Sequence, residues 1–191
     1  MKKAIAMLLL AALLLVSFAL PASAADQFAS YRTGTNGATS ARLGNMQRAA
    51  LTLNQTYVAP GASFSFNATV GPRTKEAGYV RAMNDRGVKV VGGGVSQVAT
   101  TLYLALLNLT PGSVSFDEVT FYGKDFTAGY IPDGEYAVVT DYKNEKDFCF
   151  TNRTDKSLLL EMWFQDNSLY CSVTQTSSAF DSGNWFATPA P

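Results

Sequence analysis

The sequence predicts a single domain of the α+β class, in which helices from the first half pack on a mainly antiparallel sheet from the second half. Two observations support this fold class. Apolar residues recur every three or four positions in 41–53 and again in 95–109, as in amphipathic and buried helices. Beyond Pro111 and Gly112 the spacing changes to alternate positions, which is typical of strands.

The elements follow from these patterns in chain order. Thr39 or Ser40 is expected to cap the first helix, which has a polar side carrying two arginines. Short strands are expected at 64–66 and, as a hairpin, at 79–83 and 88–91. The strands of the second half are expected at 114–121, 136–142, 148–152, 158–164 and 169–174.

A run of three glycines, Gly92, Gly93 and Gly94, precedes the second helix. Consecutive glycines stabilise neither helix nor strand, so they predict a tight turn where the backbone comes very close to something. Ser96 then falls in the first turn of the helix, whose positive end favours an anion or a nucleophile. Two interpretations stay open: Ser96 is functional, or it caps a helix that the glycines merely allow to pack.

The first 24 residues predict an export signal. Two lysines precede an apolar run at 4–20, and Ala22-Ser23-Ala24 is a small-x-small cleavage site. We expect cleavage after Ala24, then a leader at 25–38, one domain at 39–175 and a tail at 176–191. The protein is therefore expected outside the cytoplasm, secreted or cell wall-associated, touching the membrane only through the signal before cleavage.

Composition excludes several classes of function. The 15 basic and 15 acidic residues are interspersed, so no basic stripe predicts nucleic-acid binding. The absence of histidine removes the usual general base and the commonest metal ligand, and we expect no metal and no cofactor. Cys149 and Cys171 either form a disulfide in an oxidising compartment or remain two unpaired core thiols.

Three segments together resemble the VanW family of bacterial exported proteins, and a fourth, around Tyr130-Ile131-Pro132-x-Gly134, resembles it more weakly. The three are Pro60-Gly61-x-x-Phe64-Ser65-Phe66-Asn67, then Gly71-Pro72-Arg73-Thr74 with Gly78-Tyr79, then Gly92-Gly93-Gly94-Val95-Ser96-Gln97-Val98-x-Thr100-Thr101-Leu102-Tyr103. The resemblance covers about 41–173. It implies a link to the Gram-positive envelope and to vancomycin-resistance gene clusters. Some VanW domains are understood to act as L,D-transpeptidases through a cysteine acyl-enzyme.

This chain departs from the enzymatic pattern. Ser96 stands where many members have cysteine, whose pKa a helix N-terminus would depress. Family members with the cysteine tend to carry histidines where this chain has residues 121–125, which contain none. Glu135-Tyr136 stands where the family usually has an Arg-Asp pair. Lys124 could serve as a base for Ser96 only with a strongly lowered pKa.

The resemblance implies a binding site formed by Arg73, Thr74, Gly92, Gly93, Gly94 and Gln97. Arg73 and Lys75 are expected to face one cleft and hold a carboxylate. For Arg73 the alternative is a clamp on the carbonyls of its own loop. We expect an exported cell-envelope protein that binds peptidoglycan or its stem peptides, with lost or weakened catalysis. The alternatives are an active Ser96-dependent transpeptidase or acyl-transfer enzyme, and a structural, partner-binding exported domain. The sequence does not predict the oligomeric state.

Overall fold

The computed structural model describes residues 27–123 and 126–176. The described residues form three helices and nine strands: β1 Phe28–Gly34, α1 Ser40–Leu53, β2 Thr56–Val58, β3 Ser63–Ser65, α2 Phe66–Val70, β4 Arg81–Met83, β5 Lys89–Val91, α3 Val95–Leu107, β6 Val114–Val119, β7 Phe148–Asn152, β8 Ser157–Gln165 and β9 Ser168–Thr176. None of these helices is long and apolar enough to cross a membrane.

The strands form three antiparallel sheets, which confirms the α+β class. The largest has four strands in the order β1-β9-β8-β2, and the second has three in the order β3-β7-β6. The hairpin β4–β5 stands apart as the third. Helix α3 packs against β1, β9 and α1, and α1 also packs on β8. One continuous apolar core fills the space between helices and sheets.

Both long helices begin where the sequence predicts. The Thr39 side chain accepts a hydrogen bond from the Arg42 N–H at 3.3 Å and caps α1. Gly94 precedes α3 in a left-handed conformation with φ 106°, so Ser96 lies in the opening turn as expected. The helix ends at Leu107, two residues before the predicted end.

The strand predicted at 136–142 is wrong. Only two isolated bridges form there, Phe121 with Val138 and Asp141 with Lys146. Side chains of α3 bind the backbone that a neighbouring strand would need: the Val138 N–H donates to Thr100 Oγ1 at 3.0 Å. The segment therefore runs along the helix, where a second small cluster of buried residues holds it.

Two shorter predictions also need correction. The strand expected at 64–66 ends at Ser65, whose side chain caps α2, so Phe66 begins a helix. The strand expected at 114–121 ends at Val119.

The segment assigned to a leader, 25–38, contains strand β1. This strand pairs with β9 over its whole length, from Phe28 opposite Thr174 to Gly34 opposite Ser168. The predicted signal at 1–24 lies outside the described residues, as does the predicted tail beyond residue 176.

The disulfide considered for Cys149 and Cys171 is absent, because both cysteines are free. They lie on different sheets. Cys149 on β7 is opposite Ser65 and Glu118, whereas Cys171 on β9 is opposite Tyr31 and Met162.

Candidate functional site

Ser96 lies at the partly exposed start of α3, and its hydroxyl contacts the backbone of Thr140 and the side chain of Tyr122. Its Oγ accepts a hydrogen bond from the Thr140 N–H at 3.2 Å and donates to the Thr140 carbonyl at 3.4 Å. The serine therefore fastens α3 to the segment that was expected to be a strand. A backbone carbonyl does not act as a base, so this contact does not activate the hydroxyl.

Tyr122 lies beside Ser96, and the Asp85 carboxylate lies near Tyr122. Burial and the charge of Asp85 raise the pKa of Tyr122 to about 12, and a hydrogen bond with Ser96 opposes part of this rise. Burial and Asp85 likewise raise the pKa of Tyr130 well above its usual value. Both phenols are therefore protonated at neutral pH and act as hydrogen-bond donors rather than bases.

Asp85 is itself fully engaged. Its side chain is 3% exposed, and its Oδ1 is 2.6 Å from Arg42 Nη2. Its Oδ2 accepts a hydrogen bond from the Tyr130 hydroxyl at 3.0 Å. Sequence reasoning missed this pair because Asp85 reads as part of a hairpin turn, and nothing in the sequence links that turn to Arg42.

Gln97, expected to bind a ligand, is bound instead to the protein. The residue is 2% exposed, and its Oε1 accepts from Arg42 Nη2 at 3.0 Å. Its Nε2 donates to the Gly34 carbonyl at 2.8 Å and to Thr33 Oγ1 at 3.1 Å. The Gln97 amide thus ties α3 to the end of β1 and to α1.

The close approach predicted for the three glycines is to the chain itself. A Cβ on Gly92 would lie 2.7 Å from Arg73 Cβ, and one on Gly93 would lie 2.2 Å from the Ala82 carbonyl oxygen. On Gly94 it would lie 2.8 Å from Arg42 Cγ. Internal packing is therefore a sufficient reason for all three glycines.

Arg73 clamps its own loop, as the alternative interpretation had it. Its Nη1 donates to Asn67 Oδ1 at 2.7 Å and to the Gly71 carbonyl at 3.1 Å. Its guanidinium carbon lies 5.4 Å from the ring centre of Phe66 and 5.9 Å from that of Tyr142. Burial lowers the pKa of Arg73, although arginine keeps its charge in proteins. One side of the guanidinium, Nη2, is buried without a hydrogen-bond partner.

The remaining predicted residues have smaller roles or lie outside the description. Thr74 is exposed, and its Oγ1 accepts from the Ala77 N–H at 3.2 Å, which supports the turn that follows. Lys124, the candidate base, lies outside the described residues.

A shallow surface depression lies beside this cluster and is lined by Asp85, Arg86, Gly123 and Phe126. No group of histidine, cysteine, aspartate or glutamate side chains suited to a metal ion occurs within 27–123 and 126–176.

Comparison with known proteins gives the family. Residues 41–174 match the family described as "VanW like protein". The chain belongs to the VanW family. It is similar to the "Uncharacterized protein YoaR" of Bacillus subtilis (strain 168), with 30% identity over 138 residues. That alignment covers 71% of this chain but only 43% of the relative, so the chain spans less than half of that protein. No solved structure matches the chain.

Proposed function

We propose that this VanW-family chain is an exported cell-envelope protein that binds peptidoglycan or its stem peptides without catalysing transfer. The observation that carries the proposal is the state of Ser96, whose hydroxyl is held by the backbone of Thr140.

Acyl transfer by a serine needs a neighbouring group that takes the hydroxyl proton. The sequence contains no histidine. Among the described neighbours, Tyr122 is protonated at neutral pH, and Asp85 is neutralised by Arg42. The position of the nucleophile is retained, and the chemistry that would activate it is missing from these neighbours.

The loops that resemble the family keep the shape of the surface around Ser96, which is what the proposed binding needs. The Gly71-Pro72-Arg73-Thr74 loop and the glycine turn contact each other directly, since Arg73 lies against Gly92. The loop is also fixed through Asn67, which accepts from Arg73, and the glycine turn is fixed through Asn45, which donates to the Gly93 carbonyl. The shape around the start of α3 is thus maintained by packing and hydrogen bonds that do not depend on catalysis.

Mass spectrometry tests the absence of transfer. The mature protein is incubated with a disaccharide-tetrapeptide, and products are searched for cross-linked dimers and for an adduct on Ser96. We expect neither in the unmutated protein, in Ser96→Ala or in the control Ser40→Ala, which removes an exposed hydroxyl at the start of α1. Turnover that Ser96→Ala abolishes would establish the Ser96-dependent enzyme instead. Turnover only in Ser96→Cys would show an intact cleft that lacks its nucleophile.

Two further measurements test the remaining parts of the proposal. The unmutated protein should be retained by purified cell-wall sacculi, whereas absence of retention would favour a structural, partner-binding role. The protein recovered outside the cells of a Gram-positive host should begin at Ala25, and an uncleaved chain in the membrane fraction would contradict the export signal.

A further inference from the structure

Three buried side-chain polar atoms lack a hydrogen-bond partner within the described part of the chain. They are Arg73 Nη2, the Tyr79 hydroxyl and Thr140 Oγ1. Tyr79 is 2% exposed, so its hydroxyl has no access to bulk solvent. Buried polar groups are nearly always paired in folded proteins, and each exception calls for a group that completes it.

The three atoms belong to residues around one place, the start of α3. Arg73 and the ring of Tyr79 both border Gly92, at 2.7 Å and 3.9 Å from the position of its missing Cβ. Thr140 is bound through its backbone to Ser96 in the first turn. Tyr142, two residues further on, places its ring over the Arg73 guanidinium. A helix N-terminus carries partial positive charge, so the surroundings favour an anion.

The nearby carboxylates do not satisfy Arg73. Asp147 accepts hydrogen bonds from the Ser65 hydroxyl and from the Asn67 N–H. Asp141 accepts from Asn144 and from the Lys143 N–H. Both acids attract the guanidinium through space, yet Nη2 has a hydrogen-bond partner on neither.

The chemistry of the three groups specifies the missing one. Arginine only donates hydrogen bonds, and the two hydroxyls are free to donate. A carboxylate accepts several charge-assisted hydrogen bonds and matches the planar guanidinium, whereas a water molecule would supply partners without opposite charge. We propose that Arg73, Tyr79 and Thr140 form a carboxylate-binding site at the start of α3, which takes the terminal carboxylate of a peptide stem. This inference rests on the proposed function and names the chemical group it recognises.

Tyr142 controls access to the site. Its ring covers the guanidinium at 5.9 Å and is 46% exposed, so a change of side-chain rotamer removes it into solvent. A carboxylate would then reach Nη2 and accept its N–H groups in the plane of the guanidinium.

Two matched ligands test the proposal. N-acetyl-D-alanine carries the terminal carboxylate of a stem, and N-acetyl-D-alaninamide replaces only that group. Binding is followed by NMR of ¹⁵N-labelled protein. We expect the carboxylate to bind about tenfold more tightly than the amide, with the largest shifts at the amides of Gly92 to Ser96. Acetate in place of N-acetyl-D-alanine shows whether the carboxylate alone suffices: equal affinity indicates any small carboxylate, and weaker affinity indicates the stem terminus.

Variants locate the binding. Tyr79→Phe and Thr140→Val remove single oxygen-based partners at nearly constant volume, and each should weaken carboxylate binding several-fold. Arg73→Gln should abolish it, and Tyr142→Ala should strengthen it. Arg81→Gln is the control, because Arg81 is an exposed arginine on β4 that donates to the Lys89 carbonyl.

Three results would overturn the inference: equal affinity for acid and amide, unchanged binding in both Tyr79→Phe and Thr140→Val, or a crystal structure with a water molecule at Arg73 Nη2 in the presence of the ligand. Because Tyr79→Phe and Thr140→Val keep the clamp of Arg73 intact, they remain informative if Arg73→Gln unfolds. Retention on sacculi without a preference for the carboxylate would refute this site and leave the proposed function standing.

Discussion

Gly93 offers the sharpest test of whether the glycine turn serves the fold or a ligand. In Gly93→Ala the new Cβ would lie 2.2 Å from the Ala82 carbonyl oxygen, 2.6 Å from its carbon and 2.8 Å from the Met83 oxygen. All three are backbone atoms of β4, so no change of side-chain rotamer can relieve the overlap. The hairpin or the start of α3 must therefore move.

The cost can be worked from the contacts. Overpacking of a tight interior costs about 1–3 kcal/mol. Moving the hairpin also strains the Asn45 Nδ2 hydrogen bonds to the Val80 and Gly93 carbonyls, at 2.9 and 3.0 Å, each worth about 1 kcal/mol. We expect the free energy of unfolding to fall by about 3–5 kcal/mol. For a domain of this size that lowers the melting temperature by about 6–20 °C.

The assay is urea denaturation of the protein without any ligand. Gly44→Ala is the matched control, since Gly44 lies exposed in α1 with no atom near its missing Cβ, and the change should stabilise by about 0.5–1 kcal/mol. If the free energy of unfolding of Gly93→Ala lies within about 0.5 kcal/mol of that of the unmutated protein, this reasoning is refuted, because overlap with backbone atoms should cost more than that. If that variant also lost ligand binding, the glycine would belong to the ligand site.

Two more outcomes follow from the buried groups. Asp85→Asn should destabilise by about 3–5 kcal/mol, because it leaves the largely buried Arg42 unpaired; in a double-mutant cycle with Arg42→Met, purely additive effects would contradict the pairing. Burial raises the pKa of the Cys149 thiol to about 12 and also raises the pKa of Cys171, so few thiolates form at pH 8. A disulfide-exchange reagent at pH 8 should therefore react slowly with the folded protein. After unfolding in urea, both thiols should react. If the unfolded protein, without any reductant, shows no free thiols, the two cysteines are not free as described.

The sequence predicted the elements whose signals are local. Thr39 followed by helical apolar spacing predicted α1 within one residue, and the glycine run predicted the start of α3. The hairpin formed around its turn, with strands at Arg81–Met83 and Lys89–Val91. In each case a cap, a turn or a periodicity within a few residues decides the structure.

The features that escaped prediction depend on distant partners. Residues 136–142 alternate like a strand, but Thr100 and Ser96 occupy their backbone donors. Residues 28–34 have the composition of a linker and are ordered by pairing with β9. Ser96 lies in the opening turn of α3 as predicted. Arg42 and Asp85 are 43 positions apart, and nothing in the sequence marks them as a pair.

The pairing of β1 with β9 has a consequence for how the chain folds. The first strand described is completed by the last, so the four-stranded sheet closes only when residues 168–174 are available. Contacts of such long sequence separation slow folding, because the chain loses the entropy of loop closure before the paired strands contribute any stabilisation. While the chain is being synthesised, β1 and its share of the core have no partner strand. The domain therefore becomes one cooperative unit only after β9 has been synthesised, and a chain shortened before β9 would expose the edge of an open sheet.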